Sequence, residues 1–293
     1  MTVSDLKFPL IVITGPTASG KTSLAIELAK KFNGEIICAD SRTVYKDMNI
    51  GTAKPSAIDC ADVPHFGLDL VNPGEYYSVS DFKLYADQKI KEIRSRGHIP
   101  FLVGGTGLYI DAVVFNYKFG PPANVELRSQ LQHKTLDELY EYCDKYNIKL
   151  PENYKNKRYV IRSIENNGTK LSRRAEPIDG AIVVGIATER LILRRRIEQR
   201  IEQLFDNGVV DEAKMLGDKY GWDNEAMKSN IYPLVNLYLN GIATLDEIKN
   251  KCITLDYQLA KRQMTWMKRN KFIHWVSIDD ANKYLSDNLA IYL

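Results

Sequence analysis

An α/β fold is predicted by three features of the 293-residue chain: short, continuously apolar runs that recur after helix-like stretches, a glycine-rich loop wedged between one such run and a helix, and a middle segment with helical patterning only. Continuously apolar strands belong to a parallel sheet covered on both faces. The loop Gly15-Pro16-Thr17-Ala18-Ser19-Gly20-Lys21-Thr22 has the G-x-x-x-x-G-K-[ST] pattern of a phosphate-binding loop, or P-loop. The expected architecture is a P-loop NTPase-like parallel sheet flanked by helices, with an α-helical insertion. Residues 1–117 and 177–293 form the core in this reading, and residues 118–176 form the insertion.

The first strand is the run Pro9 to Thr14, and the helix after the loop begins at Ser23. Backbone N–H groups of such a loop and the positive end of its helix converge on phosphate oxygens, so the expected ligand is a di- or triphosphate. Lys21 would pair with the terminal phosphates and the Thr22 hydroxyl would hold Mg²⁺. A second strand, Glu35 to Ala39, ends at Asp40, and a third, Ile99 to Val103, runs into Gly104-Gly105-Thr106-Gly107. Between them Ser78 opens an amphipathic stretch with Phe82, Ala86, Ile90 and Ile93 on one face, stopping near Gly97. In the insertion, Pro121-Pro122 reads as an entry hinge and Thr135-x-x-Glu138 as a capping box. A last strand, Ala181 to Ile186, precedes a charged helix from Thr188 with Leu193, Ile197, Ile201, Leu204 and Phe205 on one side. Thr244-x-x-Glu247 caps a long helix running to about Arg269.

Ligands of open parallel sheets sit at the carboxyl ends of the strands, which draws the P-loop, Asp40 and the Gly104–Gly107 turn to one edge. Asp40 suits either a Mg²⁺ ligand or a base beside the phosphate site, with a turn aspartate as the plainer alternative. The stretch Asp40 to Tyr45, followed by Ile50 to Pro55, carries an acid, bases and hydroxyls that could cradle a polar substrate. Thr106 offers a hydroxyl where glycines let the backbone come close. Net charge is only +3, so any nucleic-acid contact must come from a local patch. Arg158 and Arg162 share a helix face, with Tyr154, Tyr159, Arg173 and Arg174 nearby. They suit phosphate contact or a solvated surface. For Arg194-Arg195-Arg196, with Glu198 and Glu202 close in sequence, a solvated face is expected, and Lys261-Arg262 and Lys268-Arg269 around Trp266 fit either role. His65, after Pro64, could orient a ligand, although an isolated histidine is more often structural. The four cysteines are too scattered for a zinc site, so free thiols in a reducing cytoplasm are expected. Neither the first residues, Met1 to Lys7, nor any later stretch carries an export or membrane-spanning pattern.

Together these segments resemble the tRNA dimethylallyltransferase (tRNA isopentenyltransferase) family. The resemblance runs in order through the P-loop, Asp40-Ser41-Arg42, Val44-Tyr45, Ile50 to Pro55, Pro64-His65, Tyr77-Ser78, Asp81-Phe82 and Gly104 to Tyr109. It continues through Asn156 to Arg162 and Ala260 to Trp266, and so covers nearly the whole chain. It implies transfer of a dimethylallyl group from dimethylallyl diphosphate to the N6 amine of the adenine 3′ of the anticodon, with Mg²⁺ as cofactor. By the same resemblance Asp40 is the base and Thr106 its catalytic assistant, while the P-loop grips the departing diphosphate. Asp40, Ser41, Arg42 and Thr43 would touch the flipped region of the tRNA, and Arg128 with Arg158, Tyr159, Val160, Ile161 and Arg162 would hold the anticodon stem-loop. A cytoplasmic monomer with no membrane partner is expected. The family usually has Gln at Thr43, His at Phe66 and a Gly-Tyr pair at Asn230-Ile231-Tyr232. Two other readings of the residues are an ATP-binding P-loop kinase of a small metabolite and a non-catalytic nucleotide-dependent RNA-binding protein.

Overall fold

The computed structural model describes residues 8–120, 124–168 and 172–292. The expectations placed on Met1 to Lys7 and on the hinge Pro121-Pro122 lie outside the described residues. The described chain divides into two units, one formed by residues 1–114 and 176–293 and the other by Phe115–Ala175.

The first unit is a six-stranded, wholly parallel sheet in the order β3-β2-β4-β1-β5-β6. Its central strands are the apolar runs of the sequence: β1 (Leu10–Thr14), β2 (Gly34–Cys38), β4 (Ile99–Gly104) and β5 (Ala181–Ile186). The edges, β3 (His65–Phe66) and β6 (His274–Val276), are too short to carry a pattern of their own. β1 lies between β4 and β5, with Ile13 opposite both Val103 and Val184, so every residue of β1 is buried.

Helices α1 (Lys21–Lys31), α2 (Ala57–Asp62), α3 (Val79–Ser95) and α4 (Gly107–Val114) follow the first strands. α3 starts at a reciprocal cap, Ser78 with Asp81, and buries Phe82, Ala86, Ile90 and Ile93, the four positions that helical spacing selects. After β5 come α8 (Arg190–Asp206), α9 (Val209–Tyr220), α10 (Tyr232–Leu239), α11 (Leu245–Met267) and α12 (Ile278–Leu289). α8 begins two residues later than Thr188, its N-cap being Glu189. One core packs α1 and α12 against the sheet around Phe101 and Leu28, and a second joins α8 to α11 with the loop carrying Val44 and Met48.

The second unit holds α5 (Val125–His133), α6 (Leu136–Lys145) and α7 (Lys157–Glu165), around a small core of Leu131, Leu139, Cys143, Val160, Ile161 and Ile164. Its ends meet in an isolated antiparallel bridge, Lys118 with Ser172, where helical structure alone was expected. Burial of Val160 and Ile161 corrects their expected role as RNA contacts: α7 turns these two inward and leaves Arg158 and Tyr159 exposed. All four cysteines are free, and among the described residues no helix is long and apolar enough to cross a membrane.

Candidate active site

At the carboxyl edge of the sheet, the loop after β1 closes onto α1. Gly20 caps α1 with φ 89, a left-handed conformation that favours glycine, and no side chain caps the helix. The free N–H groups of the first turn therefore face a ready anion site. No acidic residue stands in that turn to compete. Lys21 folds back so that Nζ donates to the Pro16 carbonyl at 3.1 Å. Burial pushes its pKa down to about 8, against the attraction of Asp40 and with the repulsion of Arg200. The residue as a whole keeps an intermediate exposure, and it is the ammonium that the loop encloses. The Ser19 hydroxyl is buried with no hydrogen-bond partner.

Three side chains from distant elements brace this loop, and none was assigned to it from sequence. Arg200 Nη1 donates to Thr17 Oγ1 at 2.8 Å and Arg196 Nη1 to the Ser19 carbonyl at 3.2 Å, both from α8. Gln263 Oε1, on α11, accepts from the Thr17 N–H at 2.8 Å. The solvated-face expectation therefore fails for Arg196, although it fits Arg194, which pairs with Glu198 on the surface. The signal available was the i,i+4 spacing of Arg196 and Arg200 beside the buried Ile197 and Ile201.

Beside the loop, β2 delivers Asp40 and β4 delivers Thr106. The two strands are neighbours, and Gly104 lets them close: a Cβ there would lie 2.1 Å from the Ala39 carbonyl oxygen. Asp40 Oδ1 accepts from the Arg42 N–H at 2.8 Å, a local turn that aims the carboxylate. Thr106 Oγ1 accepts from the Ser41 N–H at 3.1 Å, so its own hydrogen is free to donate elsewhere. Arg42 Nη1 donates to the Glu225 carbonyl at 2.9 Å, and Thr43 is buried with its hydroxyl toward the Asp40 carbonyl.

These groups open into one cavity of about 420 Å³, whose wall includes Lys21, Thr22, Asp40, Thr106, Arg200 and Gln263. His65 also reaches it, with Nδ1 held by the Val63 carbonyl at 2.7 Å and Nε2 buried without a partner. From the later part of the chain the wall takes Asn230, in the bend before α10, which donates to the buried Asp256 at 2.8 Å, and Arg262 on α11. A cationic anion-binding end and a carboxylate thus share one chamber of ligand size.

In the second unit, Glu165, with a side chain 2 % exposed, accepts from Arg128 Nε at 2.6 Å and Nη2 at 2.7 Å, and from Arg162 at 3.1 Å. Arg158 is exposed, and Arg173 donates to the Tyr117 hydroxyl at 2.8 Å.

Comparison with known proteins agrees with this geometry. Residues 43–270 match the family described as IPP transferase, and residues 8–64 match isopentenyl transferase. The tRNA dimethylallyltransferase of Staphylococcus haemolyticus is 36% identical over 93% of this chain and 88% of its own length. The crystal structure of the full-length tRNA isopentenylpyrophosphate transferase from Bacillus halodurans superposes with a TM-score of 0.73 at 33% identity, covering 97% of both chains. A eukaryotic dimethylallyltransferase acting on tRNA shares the fold, with a TM-score of 0.77 at 24% identity, over 92% of this chain and 74% of the other. The chain belongs to the IPP transferase family.

Proposed function

We propose that this enzyme transfers a dimethylallyl group from dimethylallyl diphosphate to the exocyclic N6 amine of the adenine 3′ of the anticodon in tRNA. The observation that carries the reading is the shared chamber: a P-loop braced by Arg196 and Arg200 at one end, and Asp40 beside it, close enough for its charge to act on Lys21. The first feature suits a diphosphate leaving group, the second a proton acceptor.

The adenine amine is a weak nucleophile because its lone pair is drawn into the ring. In the proposed step its nitrogen forms a bond to C1 of the allyl group as the C1–O bond breaks. The bonding pair leaves with the diphosphate, and the amine proton passes to the Asp40 carboxylate. Thr106, with a hydrogen to donate, orients the same centre. Charge growing on the diphosphate is met by donors already in place: Lys21, Arg200 and the N–H groups of the loop. Reaching the chamber requires the base to leave its stack, at a cost of a few kcal/mol that a loop nucleotide bears most easily.

Among the described residues no group of three acidic, histidine or cysteine side chains could hold a metal. The protein's offering at the phosphate end is the Thr22 hydroxyl with Asp40 nearby, a sparse set that fits a Mg²⁺ arriving with its diphosphate and keeping several waters. Such an ion would neutralise the diphosphate charge. The Phe115–Ala175 unit is proposed to hold the anticodon stem-loop through Arg158, Tyr159 and Arg162, with Arg128 shared between RNA and Glu165. The enzyme is proposed to act as a cytoplasmic monomer.

Incubation with an anticodon stem-loop RNA, dimethylallyl diphosphate and Mg²⁺ tests the reading by mass spectrometry of the RNA. A C5H8 increment on the target adenine is expected. Modification of free AMP instead, or phosphate transfer from ATP, would reject it. In the same assay Asp40→Ala should slow turnover by roughly 10²–10⁴ while RNA affinity holds.

A further inference from the structure

One buried carboxylate outside the phosphate end is joined to two stretches of the chamber wall. Glu212, on α9, is 8 % exposed. Its Oε2 accepts from the backbone N–H groups of Asn49 at 2.8 Å and Ile50 at 2.7 Å. Its Oε1 accepts from the Gly51 N–H at 2.8 Å and from the Tyr232 hydroxyl at 2.8 Å. No cation pairs with it among the described residues. A buried carboxylate is tolerated without a cation only where donors are already placed to meet it, and here four converge on one group.

The two wall stretches are the loop containing Gly51, Thr52 and Ala53 and the segment Lys228 to Ile231. Tyr232 links them. It is fully buried, directly follows Ile231, and lies so close to Gly51 that a Cβ there would fall 2.7 Å from its ring. The loop does not need Glu212 for its own shape. Ala53 N–H donates to the Ile50 carbonyl at 2.8 Å and Lys54 N–H to the Asn49 carbonyl at 2.9 Å. Thr52 Oγ1 donates to the Met48 carbonyl at 2.5 Å, and Lys54 Nζ reaches the Tyr45 carbonyl at 2.8 Å and Asp69 at 2.6 Å. What Glu212 adds is an anchor: it fastens an already folded loop to α9 and, through Tyr232, to the second stretch.

We infer that Glu212 is a positioning residue that sets the wall at Gly51 to Ala53 against the alkyl group and acceptor base, without acting on the diphosphate end. The inference rests on the prenyl transfer proposed above. Reactions that join two bound partners are sensitive to placement, and a shift of about 1 Å costs up to roughly 100-fold in rate.

Glu212→Gln keeps the size of the side chain, but its amide nitrogen accepts nothing, so at least one backbone N–H loses its partner. Tyr232→Phe removes a single donor and leaves the carboxylate with its three N–H groups. Steady-state prenyl transfer and binding of inorganic pyrophosphate are measured on both variants and on the parent. The expected result for Glu212→Gln is a fall in kcat of roughly 10- to 100-fold, with pyrophosphate affinity within about twofold of the parent. Tyr232→Phe should show the same split with a smaller fall. The inference is overturned by an unchanged kcat in folded Glu212→Gln, or by pyrophosphate affinity that drops in step with kcat. If Glu212→Gln does not fold, the split in Tyr232→Phe decides alone. A parent that transfers no prenyl group defeats the proposed function and the inference together, whereas an active parent with variants that match it defeats the inference only.

Discussion

Arginines on α8 and arginines on α5 and α7 are handled in opposite ways. Arg196 and Arg200 meet no carboxylate among the described residues, and both point at the P-loop, donating to its backbone and to Thr17. Arg128 and Arg162 are held by Glu165, which is itself buried. The first pair is left without a counter-ion among the described residues, with the Arg200 Nε buried and unpartnered. The second pair spends much of its charge on a counter-ion of its own, so its first task is to hold α5 to α7. Helical spacing is the same in both places. The partner decides the role.

The comparison breaks most sharply at Arg200. Arg200→Ala should lower kcat for prenyl transfer by roughly 10²–10³, the loss typical of one preorganised donor to a developing anion. Arg194→Ala, which removes an exposed ion pair, should leave the rate unaltered. Equal losses from both would return α8 to a general surface role. In the second unit the expected change is in stability: Arg128→Ala should lower the unfolding free energy of the folded chain by about 2 kcal/mol in urea titration, less than for a pair broken outright because Arg162 still reaches Glu165. Arg158→Ala should instead leave stability alone and reduce the salt slope of RNA binding by about one. An Arg158 variant with an unaltered slope would mark it as solvated surface.

The smallest effect concerns pH. With its pKa pushed down to about 8, Lys21 loses its proton as pH rises past that value, and the loop loses a charge that attracts diphosphate. Affinity of the free enzyme for inorganic pyrophosphate should therefore be level below about pH 8 and fall above it, by at most about tenfold per pH unit. Lys21→Arg, charged throughout, should remove the break. Calorimetric titration across the range reads it directly.

The central strands were legible because burial on both faces leaves no room for polar residues, as in β1 and β4. The P-loop was legible because its chemistry is local. β3 and β6 were not, since strands of two and three residues take their place from neighbours and carry no period. Arg196, Arg200, Gln263 and Glu212 were missed for a related reason: each acts on a loop far away in sequence, and spacing along a helix says nothing about what its face will meet. Val160 and Ile161 were misassigned because a motif treated as one basic segment is, on a helix, split between two faces.

The hydrogen bond from Thr17 to Gln263 spans 246 residues of chain. Beside it on α11, Trp266 Nε1 donates to Asp111 at 2.7 Å and Met267 accepts from the Thr14 hydroxyl at 3.3 Å. A ribosome therefore releases the glycine-rich loop well before its fastening on α11. At about 5–20 residues per second, that interval lasts on the order of ten seconds to a minute. Throughout it the nascent polypeptide carries the motif without the grip that Gln263 later supplies.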